Sequence, residues 1–351
     1  MFETRPEFYY KLFVWYAVLL AAALYFTLAF DCVLSHMIGA VLLASFWQQL
    51  AFSGHDVGHN AITHNRATDL WWGTLVGNTF GGISLEWWKR SHNVHHIVCN
   101  SIENDPDIQH LPVFAVDSRM IGQWWSTYHK KYFTTDPIAR FLVSYQHYMF
   151  YPVMALARFN LYVQGYLTLL NFKVPCNHRM LEIVCLGIFF FWNGLLLSTL
   201  GSWQEMLCYV LLSHAASGLL HVQITISHFA EDCYHGQAYN GEEDEWFKMQ
   251  LKTTMNVDCP EWMDWFHGGL QFQIEHHLFP RIPRHNLRAV RDIIKPFAKK
   301  WGVHYEERSF FDANVKVVEQ LRKTAMVART SKRTDGGFYK SQIWDGLNAQ
   351  G

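Results

Sequence analysis

The amino-acid sequence predicts an all-α membrane protein: four transmembrane helices in two hairpins, with re-entrant or interfacial helices and a cytoplasmic cap of histidine clusters able to hold two metal ions. Long apolar spans, histidines repeated at helical-face spacing and a one-sided distribution of Lys and Arg carry that expectation. The 351 residues are 50% hydrophobic and 16% aromatic, with 15 Trp and only 17% charged. That balance is too apolar for an ordinary soluble domain, and a formal net charge of −1 gives no electrostatic footprint for nucleic acid. Seven cysteines show no CxxC and no pairing pattern, which argues against a disulfide framework or a zinc ribbon.

A bilayer crossing needs roughly 20 apolar residues. Residues 12–30 carry no charge, and 32–50 follow almost at once; 183–200 and 206–227 form a second pair, split by Gly201 and Ser202. The first span is too long for a signal-peptide core and shows no small-residue cleavage site, so it reads as a retained anchor. Three further apolar stretches are interrupted: 71–88 by four glycines, 141–157 by Pro152, and 159–172. These are expected to be re-entrant or interfacial helices. The resulting organisation is a short N-terminal segment (1–11), a membrane domain (12–284), a basic helical C-terminal region (285–330) and a disordered tail (331–351). In the basic region, cationic residues alternate with Leu287, Val290, Ile293, Ile294 and Phe297, as in a helix lying on anionic headgroups.

Three polar clusters stand beside the spans: His55 with His59; His92 with His95 and His96; and Gln273 with His276 and His277. Residues three and four apart share one helix face, so each cluster can present two or three donors to one point. Imidazole suits first-row transition metals such as iron, and about eight such donors are enough for two ions. Topology supports a shared site. Two crossings return the chain to its starting side before His55, and two more do so before Gln273. Lys89, Arg90, Lys130, Lys131, Arg281, Arg284, Arg288, Lys299 and Lys300 lie on that face, which makes it cytoplasmic by the positive-inside rule. His214, His221 and His228 recur every seven residues along the fourth span. His228, at its cytoplasmic end, is placed to complete the metal shell, while His214 and His221 sit deeper and should bond to neighbouring helices. His64 and His267 are candidates to stand behind the ligands and orient them. His36, His110, His129, His147, His178, His235 and His304 read as packing residues. No Glu-x-x-His pair and no His-Glu-x-x-His occurs, so neither a soluble di-iron bundle nor a zinc protease fits.

The clusters and their surroundings resemble the histidine boxes of membrane front-end desaturases. The likeness is closest over residues 87–110, around His92-Asn93-Val94-His95-His96 and Glu103-Asn104-Asp105-Pro106-Asp107, and over 265–281, around Gln273-Ile274-Glu275-His276-His277-Leu278-Phe279-Pro280. Within that family these stretches are most similar to delta-8 sphingolipid (long-chain base) desaturases of fungi and plants. The resemblance implies iron ligands at His55, His59, His92, His95, His96, His276 and His277, with Gln273 at the position that marks front-end members and His228 matching a histidine just after the last span. It assigns Asp105 and Asp107 either to a turn or to holding ligand imidazoles. It also implies a di-iron centre, O2 as co-substrate, electrons from cytochrome b5 and its NADH-dependent reductase, and residence in the endoplasmic reticulum membrane. Front-end members usually begin with a fused cytochrome b5 domain carrying His-Pro-Gly-Gly. This sequence has no His-Pro dipeptide and enters its first span about ten residues from Met1, so either that domain has been trimmed away or a separate cytochrome b5 supplies the electrons.

Removing hydrogen from an unactivated methylene pair is beyond any side-chain acid or base, so a redox cofactor must carry that chemistry. Aromatics within 80–88 and 262–266 are candidates to line an apolar tunnel for the lipid chain. Three alternatives remain open from sequence. A delta-6 or delta-5 fatty-acyl desaturase shares the boxes, as does a histidine-box hydroxylase. A metal transporter would place its ligands at the membrane midplane.

Overall fold

The computed structural model describes residues 1–236 and 245–331. From the N-terminus the helices are α1 (Pro6–Leu28), α2 (Val33–Gly58), α3 (Arg66–Gly73) and, after a π-helical stretch at Thr74–Phe80, α4 (Leu85–Ile97). A hairpin of β1 (Gln123–Ser126) and β2 (Lys131–Thr134) leads to α5 (Pro137–Ser144), α6 (Gln146–Leu170), α7 (Arg179–Leu197), α8 (Trp203–Ser217) and α9 (Leu219–Thr225). Then come α10 (Glu245–Lys252), β3 (Asn256–Asp258), α11 (Asp264–His267), α12 (Gln273–Leu278), α13 (Leu287–Trp301), β4 (Glu307–Ser309) and α14 (Phe310–Thr330). The expected disordered tail lies, from residue 332 on, outside the described residues. The chain divides into two compact units, one of residues 1–89, 152–222 and 281–286, the other of 90–151, 223–280 and 287 onward.

The first unit is built on four helices long and apolar enough to cross a membrane: Pro6–Leu28, Val33–Gly58, Arg179–Leu197 and Trp203–Thr225. Pro6 starts α1, where a missing N–H costs nothing because the first turn has no intrahelical partner for it. The helices divide into inner and outer. The most apolar stretch of α2 is 61% buried and that of α8–α9 50%, against 22% for α1 and for α7. Val14 and Val18 of α1, and Val184 and Phe191 of α7, therefore keep apolar side chains outward, as lipid-facing positions must. Between apolar helices in lipid, close packing and internal hydrogen bonds do the joining. Leu19, Leu43, Trp47, Phe189 and Tyr209 interlock in the core. Gly218 lets α8–α9 approach α6, because a Cβ there would stand 2.7 Å from the Met154 carbonyl oxygen. Glu205 accepts from the Gly201 N–H at 3.2 Å and pairs with His36 Nδ1 at 2.5 Å, tying the start of α2 to the start of α8.

The second unit packs α5, α13 and α14 with the short elements around the second and third histidine clusters. On α14, Ala313, Val317, Leu321, Ala325 and Ala328 recur at helical spacing and are fully buried. Arg140 donates to the Ala328 and Arg329 carbonyls at 2.9 and 3.0 Å, placing a cation at that helix's C-terminus, where the dipole favours it.

Three expectations are corrected. The chain is mostly helical but not all-α: β1 pairs antiparallel with β2, and β3 pairs parallel with β4. The stretches 141–157 and 159–172 are not two interrupted helices; α6 runs through Pro152 unbroken, the break falling earlier at Tyr145. Finally, α13 is only in part a cationic surface helix, with Lys299 and Lys300 exposed at its C-terminal end. Leu287, Val290 and Ile294 are packed inside, and Arg288 and Arg291 are paired with Asp264 and with Asp258 and Glu307. Ile293, Phe297 and Trp301 are the large apolar residues of α13 that stay exposed.

Candidate metal centre

In the first unit, α2 ends with His55 and His59 one turn apart, their rings edge to face with centroids 4.8 Å from each other. The Trp88 indole stands edge-on to both, at 5.5 and 5.3 Å. Gly58 makes that possible, since a Cβ at this position would fall 2.0 Å from the indole. Asp56, between the two histidines, is turned elsewhere. It accepts from Tyr9 Oη at 2.9 Å and pairs with Arg284 Nε at 3.4 Å, both partners buried. His64 instead bonds the Phe2 carbonyl through Nε2 at 2.7 Å, and Tyr162 reaches His214 at 3.2 Å as a deep packing contact.

In the second unit six imidazoles gather, and they sort into two groups. His96 Nε2 lies 3.1 Å from both His92 Nε2 and His276 Nε2. The other group is His95, His228 and His277 with Cys99, whose donor atoms all fall within 4.8 Å of one another and whose residues are all buried. Helix α4 supplies both, His92 and His96 to the first and His95 to the second. Asn100 turns the chain just after it: its backbone is left-handed (φ 60°), and its side chain donates to the His228 carbonyl at 2.9 Å. Residue 273 opens α12, so Gln273 is buried one turn ahead of His276.

Most of these rings are held from behind. His95 Nδ1 meets Asp105 Oδ2 at 2.9 Å, and His92 Nδ1 meets Asp107 Oδ2 at 3.2 Å. Asp105 also accepts from the backbone N–H groups of Asn100 and Asp107, so it fixes the turn and the ring together. His277 Nδ1 faces Gln250 Oε1 at 3.0 Å, and His228 Nδ1 faces Cys99 Sγ at 3.5 Å. His267 does not join them; it lies by Gln223 at 3.4 Å and against Phe310. Glu275 is held by Asn256 at 2.7 Å and Tyr305 at 2.8 Å, which braces α12. Sequence reading missed Gln250, Cys99, Asn256 and Tyr305. Only Cys99 left a trace, standing four residues after His95. Trp262 and Trp265, expected to line a tunnel, are exposed.

The residues fit a metal. Two nitrogens bound at right angles to one ion about 2.1 Å away would stand about 3.0 Å apart, close to the spacing of the Nε2 atoms. Burial, helped by neighbouring imidazoles, pushes His228, His276 and His277 well below the usual histidine range, so these rings are uncharged at neutral pH, the form in which imidazole binds a metal. His95 is the exception. Burial pulls it down, but the Asp105 and Asp107 carboxylates more than offset that and hold it at about 9. Those two carboxylates lie where a bound cation's charge would otherwise go uncompensated. Among the described residues His277 Nε2 is buried with no hydrogen-bond partner, as expected of a donor reserved for an ion.

Fold and site together define a class: a membrane protein of four apolar helices with a histidine-rich, carboxylate-backed cluster able to hold a metal. The chain belongs to the fatty acid desaturase family, whose model matches residues 33–309, and it is an oxidoreductase of lipid metabolism. It is 43% identical over 334 residues to Delta(8)-fatty-acid desaturase 2 of Arabidopsis thaliana, covering 95% of this chain and 73% of that one. It is 43% identical over 303 residues to the Delta 8-(E)-sphingolipid desaturase of Emericella nidulans, covering 84% of this chain and 54% of the relative. It is also 37% identical over 351 residues to the Acyl-lipid (9-3)-desaturase of Borago officinalis, covering all of this chain and 77% of that one.

Proposed function

We propose that the protein introduces the delta-8 double bond into the long-chain base of a sphingolipid, with two irons held by His55, His59, His92, His95, His96, His228, Gln273, His276 and His277. The observation that carries the metal reading is the sorting of six imidazoles into two groups, with nitrogens at coordination spacing. The delta-8 position rests on equal 43% identity to a plant delta-8 and a fungal delta-8 sphingolipid enzyme. The reaction balances as –CH2–CH2– plus O2, two electrons and two protons giving –CH=CH– and two waters. Bound iron supplies the redox chemistry with O2 that no side chain can. The protein's own residues orient the ligand rings, exclude water around the buried imidazoles and hold the lipid's reacting carbons beside them. Electrons come from cytochrome b5. The site faces the cytoplasm at the endoplasmic reticulum membrane, with four spans in two hairpins, as the Lys and Arg distribution supports.

The test is lipid mass spectrometry of cells that express the chain with a cytochrome b5 donor and are fed labelled dihydrosphingosine and labelled linoleate. Unsaturation should appear in the base and not in the acyl chain. The reverse pattern would mean a fatty-acyl enzyme, hydroxylated product a histidine-box hydroxylase, and metal uptake with unchanged lipids a transporter. Product formation should collapse in a host without free cytochrome b5 and return when that protein is supplied. Undiminished activity without it would show the reductant to be wrong.

Gln273 offers an amide where its neighbours offer imidazole, and an amide oxygen is the weaker donor. Gln273→Ala is therefore expected to lower activity by roughly 10-fold or more while removing less iron than His276→Ala. Unchanged desaturation in the alanine variant would make Gln273 a packing residue.

A further inference from the structure

We propose that Gln250 sets the tautomer of His277, and through it the geometry of one of the two metal positions. Gln250 is a fully buried amide on α10, outside every histidine cluster. Its Nε2 donates to the His96 carbonyl at 3.0 Å, and its Oε1 lies 3.0 Å from His277 Nδ1. The two contacts leave a single consistent assignment of hydrogens. A backbone carbonyl can only accept, so the NH2 end of the amide must face His96. The oxygen end then faces His277, and it too can only accept, so Nδ1 must carry the ring hydrogen. A neutral ring protonated at Nδ1 has its lone pair on Nε2. That atom is a buried nitrogen with no hydrogen-bond partner among the described residues, and it belongs to the group formed with His95, His228 and Cys99.

The same amide joins the two histidine clusters of this unit. One end grips the backbone at the last turn of α4, which carries His92, His95 and His96; the other grips a ring on α12. A small displacement of α10 would thus move His277 relative to His95. Gln250 reaches the first group only through the His96 backbone carbonyl, whereas in the second it holds the His277 ring itself. Gln250 is accordingly a positioning residue for one ion and not for the other. A neutral amide differs from the carboxylate behind His95 in one respect: it fixes the ring without adding charge. Two carboxylates already stand behind this cluster, and a third would raise the affinity for protons as well as for metal.

This inference rests on the reading of His277 as a metal ligand, and the experiment separates the two. The purified, metal-stripped full chain is titrated with Co(II), following the visible absorption of each bound ion, for the parent and for Gln250→Leu, Gln250→Glu and His277→Ala. Gln250→Leu should weaken one of two binding events by about 10- to 100-fold and leave the other in place. Gln250→Glu keeps the acceptor for Nδ1 and adds a charge, so both ions should still bind, with affinity that depends more steeply on pH than in the parent. After iron loading, kcat should fall in the leucine variant while KM stays near the parent value. If His277→Ala binds two ions as the parent does, the ligand reading is wrong. If His277→Ala loses an ion and Gln250→Leu loses none, the tautomer assignment is wrong and the ligand survives. Should the leucine variant fail to fold, the glutamate variant decides, and a loss as deep as that of His277→Ala overturns the proposal.

Discussion

Replacing His96 with alanine is expected to reduce desaturation by at least about 100-fold and to lower bound iron from two per chain to one or fewer. His96 occupies the middle of the imidazole array. Its Nε2 lies between those of His92 and His276, and its ring centroid is 4.6, 4.7 and 4.3 Å from those of His92, His276 and His277. Deleting it removes one donor and also the ring that keeps two others apart. Asp105→Asn is the instructive contrast. The asparagine retains an oxygen to accept from His95 Nδ1 but drops the charge, so a loss of about 10- to 100-fold in metal affinity is expected, with protein still able to bind iron at high concentration. Iron analysis of the purified variants beside product assays checks both. Parent-level iron and turnover in His96→Ala would remove His96 from the ligand set.

Sequence showed the donors and not what holds them. The i, i+3, i+4 repeat of His92, His95 and His96 is a local property of a helix, and α4 is a helix. Apolar length likewise announced the four spans, because a bilayer imposes its thickness on any crossing segment. Asp105 and Asp107 lie close enough in sequence to His95 for their role to be weighed in advance. Gln250 and Tyr305 do not. They reach the third cluster from 27 and 30 residues away, across a chain path that no periodicity encodes. The β1–β2 hairpin was missed because four-residue strands are too short for alternation to register. Its stability comes from contacts formed after folding, such as Trp124 stacked on Phe133 at 4.7 Å. The helix across Pro152 was missed for a related reason. Proline is a breaker by local rules, yet neighbouring packing inside an apolar bundle can tolerate it. On α13 the basic residues are expected at anionic headgroups, whereas Asp258, Asp264 and Glu307 pair with Arg288 and Arg291 from other segments, and Lys299 and Lys300 at the helix's end stay exposed.

Arg284→Met is expected to destabilise the first unit by about 3–5 kcal/mol, the cost of stranding a buried charge. Arg284 and Asp56 are each less than a tenth exposed and face one another, Nε to Oδ2, at 3.4 Å. Around them the hydrogen bonds close into a small network. Arg284 Nη2 donates to Tyr16 Oη at 3.1 Å and to Ser53 Oγ at 3.3 Å, Tyr16 and Ser53 meet at 2.8 Å, and Tyr9 Oη donates to Asp56 at 2.9 Å. Methionine fills the volume of the arginine stem and removes the charge, so Asp56 keeps only the Tyr9 hydroxyl in a site too dry to ionise it cheaply. The double variant Asp56→Asn with Arg284→Met removes both charges and should recover more than half of the loss, because the pair's own net contribution is small beside the cost of breaking it. Thermal unfolding of the detergent-solubilised chain, parent, single and double, gives the comparison. Asp56 sits between His55 and His59 on α2, so the single variant should also bind less iron, and the double variant should regain it. A single variant within about 1 kcal/mol of the parent would mean that water reaches this pair, and that Arg284 holds its segment to α1 and α2 through packing against Phe8 and Phe52 alone.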